Sequence, residues 1–390
     1  MKIAKRFRSQ VPKILFIHNT AVWYRRPFFR KLSEIYDVKF IFTQLQLQKD
    51  VYGVEIANRI EGLEVVNYKV LNSNICGKHG LIKDLLSHDC DVIVDSLGSI
   101  ETVLSFSIAK LRGKPIMLWS EEWGWREKSL RRRLNSPVVD FIVSHSEAML
   151  VPGTKHREHV LSSGASPDRV FIMPNASNLI ASEKHYQDKQ KLKEKLHIGA
   201  KKVVLYAGRL VKRKGVEYLI EAFSKLRKEA DDIVLIIVGE GECRGELELK
   251  SKVLNIEDHV YFAGSVDNSQ LPPYYLLCDV CVVPSTTYGM GDPWVFVVNE
   301  AMHCGKPVIA TDAVGAAFDM IKNGQNGFVV PERDSNALYE AMKMILSDPG
   351  LQEEMGKQSK RIIEEGFTYE HMVEGFMKAL NHVLENKGYH

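Results

Sequence analysis

Short apolar runs separated by helical patterns recur along the whole chain, and this alternation constrains the fold more than any other feature. In the first half the runs are KILFIHN (13–19), VKFIFT (38–43), DVIVDS (91–96), PIMLWS (115–120) and DFIVSHS (140–146). In the second half they are KVVLYAG (202–208), IVLIIVG (233–239), HVYFAG (259–264), DVCVVPS (279–285) and KPVIATD (306–312). Strands this short and this uniformly apolar are buried on both faces, with the intervening helices as cover, so the expected architecture is parallel α/β. A chain of 390 residues has room for two such domains. The polar stretch SEKHYQDKQKLKEKLHIG (182–199) reads as a connector with a short solvated helix. It places a first domain over 1–180, a linker over 181–200 and a second domain over 201–369. From Glu370 the apolar positions Met372, Phe376, Ala379, Leu380 and Val383 repeat at helical spacing. That tail, about 370–390, is expected to pack back on the first domain.

Composition narrows the function classes. A net charge of +3 is too small to argue for nucleic acid as a partner. No run approaches the 18 or so apolar residues of a membrane span, and the basic N-terminus has too short an apolar stretch for a cleaved signal. Six cysteines in a chain of this length do not make a disulfide scaffold. Cys278 and Cys281 form a lone CxxC within LLCDVCVVP and read as buried cysteines of a strand rather than metal ligands. The expected setting is reducing and cytoplasmic, with no metal and no cofactor.

In open α/β sheets ligands bind beyond the carboxyl ends of the strands, in loops that lead into helices. That rule selects the residues after Gly208, Gly239, Gly264 and Ser285, and in the first half those after Asn19, Ser96 and Ser120. The loop after Gly208 reads GRLVKRKGVEYLIEAF, with a helix expected from Gly215. Arg209 and Lys214 flank that turn and, with free helix amides, would form a cationic pocket for a diphosphate. The competing reading is a solvated basic turn, with Lys212 and Arg213 facing water. VGEGECRGELE, from Val238, misses GxGxxG by one position, which disfavours a nicotinamide or flavin enzyme.

The stretch Val282 to Thr311 reads as a strand, a glycine-rich loop, a helix and a second strand. Asp292 is expected to cap the helix, with Pro293 at its first position and Gly305 and Pro307 closing it. Eight residues along a helix span about 12 Å, so Asp292 and Glu300 would touch separate parts of an elongated hydroxyl-rich ligand. A plain cap and a solvated charge are the alternative.

Four motifs in order, GRLxxxKG (208–215), GEG (239–241), FAGSV (262–266) and PS…GDPWxxxxNEAMxCGxPVIAT (284–311), resemble the retaining glycosyltransferases of GT-B fold, group 1 type. The likeness is strong over roughly 202–330 and thinner in FIVSHSEAM (141–149) and RVFIMPNAS (169–177). It implies two Rossmann-like α/β domains facing each other across a cleft, and transfer of a sugar from a nucleotide-sugar, UDP- or GDP-linked, without a divalent metal. Arg209 and Lys214 then match the basic pair on the donor diphosphate. Glu300 matches the glutamate that binds the ribose, and Asp292 takes the place of the first glutamate of E-x7-E, near the transferred sugar. Gly264, Ser265 and Val266 fall at the nucleobase, and Gly208, Gly239, Gly291, Trp294 and Val295 complete the donor-binding set.

Three departures bear on activity. The first acid is an aspartate. Val295 stands where the family has glycine, so its side chain is expected to intrude on the donor. The family's N-domain histidine is missing from LWSEEWGW (118–125), where Glu121 or Glu122 stands instead.

On the acceptor side, Trp23, Arg25, Glu121, Glu122, Trp123 and His145 are candidates, with aromatic faces for sugar rings and basic groups for phosphate. Trp125 and the basic run Arg126, Lys128 and Arg131–Arg133 suggest a short interfacial helix over 125–137. The expected acceptor is a glycan or lipid-linked hydroxyl, with peripheral association at the inner face of an anionic membrane. A sugar-nucleotide epimerase or hydrolase, and an inactive nucleotide-sugar-binding subunit, remain as alternatives.

Overall fold

A computed structural model describes residues 11–43, 60, 62–71, 75–124, 130–177, 179, 181–288 and 291–386. The chain forms two units. The first holds the described residues of Met1–Trp123, Lys128–Asn175 and Tyr369–His390, and the second holds Gly124 and those of Ala176–Thr368.

The first unit is built on a parallel sheet of β1 (Lys13–His18), β2 (Asp37–Phe42), β3 (Tyr68–Val70), β4 (Val92–Ser96), β5 (Ile116–Trp119), β6 (Ala148–Val151) and β7 (Val170–Ile172). Its order is β3-β2-β1-β4-β5-β6-β7. Strand residues alternate between two cores: Ile14 and Phe16 face one, Leu15 and Ile17 the other. The helix Tyr369–Glu385 closes the first of these cores with Met372, Phe376, Ala379, Leu380 and Val383. Phe376 stacks on Phe16 at 6.0 Å between ring centroids and meets Phe28 edge-on. The Tyr369 hydroxyl donates to the Tyr24 carbonyl at 2.7 Å, tying the start of this helix to the loop after β1.

The second unit carries β8 (Lys202–Ala207), β9 (Ile233–Val238), β10 (Val260–Gly264), β11 (Val280–Val283), β12 (Val308–Thr311) and β13 (Gly327–Val330). All pair in parallel in the order β10-β9-β8-β11-β12-β13. The helix Val216–Arg227 follows β8 and buries Val216, Leu219, Ile220, Phe223 and Leu226, its expected apolar stripe. The polar segment 182–199 forms the helix Glu183–Lys195, inside the second unit. Leu192 of that helix and Ile198 pack into the same core as β8 and β11.

One strand reading is overturned. DFIVSHS belongs to the helix Leu130–His145, and the strand is the following AMLV, β6. A continuous apolar run has no period that separates strand from helix. Ser144 and His145 bond back to the Phe141 carbonyl, and Ser146 to that of Ile142, which ends the helix and turns the chain into β6. Trp125, Arg126 and Lys128 lie outside the described residues. Replacing Phe376 by alanine leaves a cavity beside Phe16 and Phe28. We expect a loss of about 3–5 kcal/mol in stability, read by denaturant unfolding followed by tryptophan fluorescence.

Candidate functional site

In both sheets the strand order reverses beside the first strand: between β8 and β11 in the second unit, and between β1 and β4 in the first. Such switch points are where open α/β sheets hold ligands, and the charged candidates gather there.

In the second unit the loop after β8 crosses the end of β11 at very close range. Gly215 has φ +61°, and a Cβ there would stand 2.0 Å from the Pro284 carbonyl oxygen. The Thr286 amide donates to the Arg213 carbonyl at 2.7 Å. Beside it, Gly208 donates to Val238 and Gly239 to Gly264, at 2.9 and 2.8 Å, tying the ends of β8, β9 and β10. Gly239, with φ +133°, has no room for a Cβ, which would lie 1.9 Å from the Gly208 carbonyl oxygen.

Asp292 is the hub. It is 5% exposed and lies outside the helix, which runs only over Phe296–His303 with Val295 at its cap. The expectation of an Asp292 cap with Pro293 in the first turn is therefore corrected. The Asp292 backbone is instead stitched to the turn after β12: its amide donates to Ala313, and Gly315 donates to its carbonyl, both at 2.9 Å. Its side chain takes Lys214 Nζ at 2.5 Å and Ser285 Oγ at 2.6 Å on Oδ2, and the Arg213 guanidinium on Oδ1. Burial works to raise the Asp292 carboxyl, and Lys214 and Arg213 outweigh it, holding the group below the usual carboxylate range. Arg213, expected to face water, is thus a partner of the buried acid. Arg209 is exposed, as is Lys212: the Arg209 carbonyl accepts from the Tyr206 hydroxyl at 2.8 Å, and its side chain makes no bond among the described residues.

Glu300 sits mid-helix and half-buried, Oε2 accepting from the buried Tyr275 hydroxyl at 2.7 Å. Burial pushes its carboxyl up, partly countered by that bond. The expected intrusion of the Val295 side chain is corrected, and Trp294 lies beside it. Both pack into the core, and Trp294 Nε1 donates to Asn299 at 3.0 Å, so the Val295 side chain does not intrude. Gly291 is buried next to Asp292 and Ser265 is exposed after Gly264. Val266 lines a cavity of about 250 Å³ with Lys191, Gln270 and Tyr274. Thr287 donates through both amide and hydroxyl to Glu332, at 2.7 and 2.5 Å, anchoring the loop on its other side.

In the first unit, Arg25 is 3% exposed and lies over the Trp119 ring, 4.2 Å from its centroid. It pairs with Glu121 and donates to Asn175 Oδ1 at 2.5 Å, while Asn175 Nδ2 donates to Glu121 Oε1 at 2.9 Å. Burial works to raise the Glu121 carboxyl; Arg25 and Asn175 more than offset it and hold it low. His18, at the end of β1, joins this group at 5.0 Å from Trp119. Its pKa falls to about 4, from burial and from Arg25, so the ring is neutral at physiological pH. Sequence reasoning missed His18 and Asn175, although each ends or follows a strand at the ligand edge.

The remaining candidates have further neighbours. Trp123 is buried against His156, with ring centroids 6.3 Å apart, and Trp23 packs edge-on against Tyr24. Glu122 is half-buried, its amide donating to Ser120 Oγ at 3.3 Å. His145 is corrected: it closes a helix that precedes β6, stacks on Phe141, and so lies at the amino edge of the sheet, opposite the ligand edge.

Residues 188–362 match the family described as glycosyl transferases group 1. Over 247 residues the chain is 33% identical to the GDP-mannose-dependent alpha-(1-6)-phosphatidylinositol monomannoside mannosyltransferase of Mycolicibacterium smegmatis, covering 60% of this chain and 61% of that one. It is 30% identical over 237 residues to the alpha-D-kanosaminyltransferase of Streptomyces kanamyceticus, covering 59% and 60%. The chain thus spans about 60% of the length of these curated relatives. Among solved structures, Anabaena HepE, crystallised with UDP, superimposes with a TM-score of 0.76 at 18% identity, over 95% of this chain and 99% of that one. The two parallel-sheet α/β units are those of the GT-B fold.

Asp95, near the end of β4, is a buried carboxyl whose Oδ2 has no hydrogen-bond partner among the described residues. Burial pushes it up to about 8. The folded state therefore holds a proton that the unfolded chain releases near pH 4, and stability falls as pH rises from about 4 to 8. Asp95→Asn should flatten that slope, read as the melting temperature of both proteins across this range.

Proposed function

We propose that the chain is a retaining glycosyltransferase that moves a sugar from a nucleotide-sugar to a hydroxyl of a glycan or lipid-linked acceptor. The observation that carries this reading is the assembly at the β8–β11 switch point: exposed Arg209, half-buried Lys214, Asp292 on its bridge, and Glu300 on the following helix. Arg209 and Lys214 supply charge for a diphosphate leaving group, so the transfer needs no divalent metal. Glu300 Oε2 is engaged by Tyr275, and the carboxylate stands ready to accept from ribose hydroxyls. Asp292 belongs near the transferred sugar. A UDP- or GDP-linked donor fits the relatives, one named as GDP-mannose-dependent and a structural neighbour crystallised with UDP.

The acceptor belongs to the first unit, where Glu121 presents an ionised carboxylate held by Arg25 and Asn175. An acceptor hydroxyl attacks the same face of the sugar that the diphosphate leaves. Peripheral binding to an anionic membrane from the cytoplasmic side is supported by the helix Leu130–His145, which exposes Val138 and Phe141 beyond the arginines at 131–133. Among the described residues no helix is long and apolar enough to cross a membrane.

Two measurements test this reading. A thermal-shift panel of UDP, GDP, ADP and their common sugar conjugates should give a rise in melting temperature with one base that Glu300→Ala abolishes. A ligand at 100 times its Kd adds about 2.7 kcal/mol, enough to register. With the donor so found, Arg209→Ala should lower kcat on the order of a hundredfold; unchanged turnover would remove Arg209 from the mechanism.

A further inference from the structure

Asp292 is bound by two cations, and the second of them is unexplained by the donor site. Lys214 is 13% exposed in its side chain, Arg213 28% and Asp292 7%. Each cation takes a different carboxylate oxygen: Arg213 holds Oδ1, and Lys214 shares Oδ2 with Ser285. Two positive charges meet one negative charge, so the cluster carries one charge in excess.

Lys214 cannot serve a diphosphate and Asp292 fully at once. If it were the sole cation on Asp292, turning to the donor would leave a buried carboxylate without a counter-charge, which is strongly unfavourable. We propose that Arg213 is the positioning residue that keeps Asp292 paired, so that Lys214 is free to turn to the anion. This rests on the reading of the second unit as a donor site. Arg213 is built for the task by its backbone. Its carbonyl is pinned by the Thr286 amide at 2.7 Å, and the neighbouring Gly215 admits no side chain, so its turn has one path across the end of β11. The planar guanidinium then reaches the shorter acid, an aspartate where the resemblance leads one to expect glutamate.

The test is calorimetric titration of the full chain with UDP and with GDP, which reads anion binding without needing the acceptor. Arg213→Gln should weaken binding of the preferred nucleoside diphosphate by on the order of tenfold to a hundredfold, the worth of a bond to a charged group. Lys212→Gln removes the same charge from the same turn without contact to Asp292, and should change binding by no more than about twofold. In an Asp292→Asn background no buried carboxylate remains to be satisfied, and adding Arg213→Gln should then change nothing. Wild-type binding by Arg213→Gln, or an equal loss in the Asp292→Asn background, overturns the proposal. The second comparison decides even where Arg213→Gln alone fails to fold. Failure of the wild-type protein to bind either nucleotide instead removes the donor-site reading, and this proposal with it.

Discussion

The pairing of one buried carboxylate holds together the ligand edge of the second unit. Asp292 is contacted by side chains from 213, 214 and 285 and by the backbone of 313 and 315, three segments brought side by side only by the β8–β11–β12 order. A carboxylate removed from water has to be met by charge and hydrogen bonds, and here it is met on both oxygens. The cost of leaving it unmet fixes where the glycine-rich loop ends. It also fixes the path of the basic turn, because the side chains that satisfy the acid hang from a backbone with no freedom at Gly215.

The first unit uses similar components with a different balance. Arg25 lies buried and Glu121 remains 41% exposed, so the cation is the interior partner and the anion the outer one. Arg25 pairs with Glu121, with Asn175 bridging them. The two switch points therefore present opposite faces to a ligand. The second carries surplus positive charge, with Arg209 extended beyond it, while the first offers a fixed acceptor of hydrogen bonds beside the Trp119 ring. Phosphate chemistry suits the former and hydroxyl chemistry the latter.

Much of this was legible in the sequence, for identifiable reasons. The strands β8 to β12 of the second unit were visible because each is an unbroken apolar run that ends at glycine or a small polar residue, and the ligand-edge rule then located the loops; the edge strand β13, only GFVV, was not. The helix Val216–Arg227 was visible through its period. The helix Leu130–His145 was not, since its apolar run has no period and its end depends on Ser144, His145 and Ser146 bonding back to carbonyls. Asp292 followed by proline looks like a helix start from local chemistry alone; a backbone bridge to Val314 displaces it, and no local pattern encodes that bridge. The same holds for Arg213, which follows the solvated Lys212 in sequence and whose partner lies 79 residues away. Val295 looked obstructive because a substitution at a glycine position says nothing about which side of the backbone the new side chain takes.

The helix Tyr369–Glu385 carries a consequence for how the protein is made. Its Phe376 and Leu380 complete a core that begins with Ile14 and Phe16, near the opposite end of the chain. During synthesis the first unit emerges early but lacks the piece that seals one face of its sheet. The second unit, whose strands all lie between Ala176 and Thr368, has them before that piece leaves the ribosome. The later-made half is thus equipped to fold first, while the earlier-made half waits with Phe16 and Phe28 uncovered. A chain without this helix would keep its second unit and expose an aromatic surface on the first, which is the form that chaperones would be called on to shield.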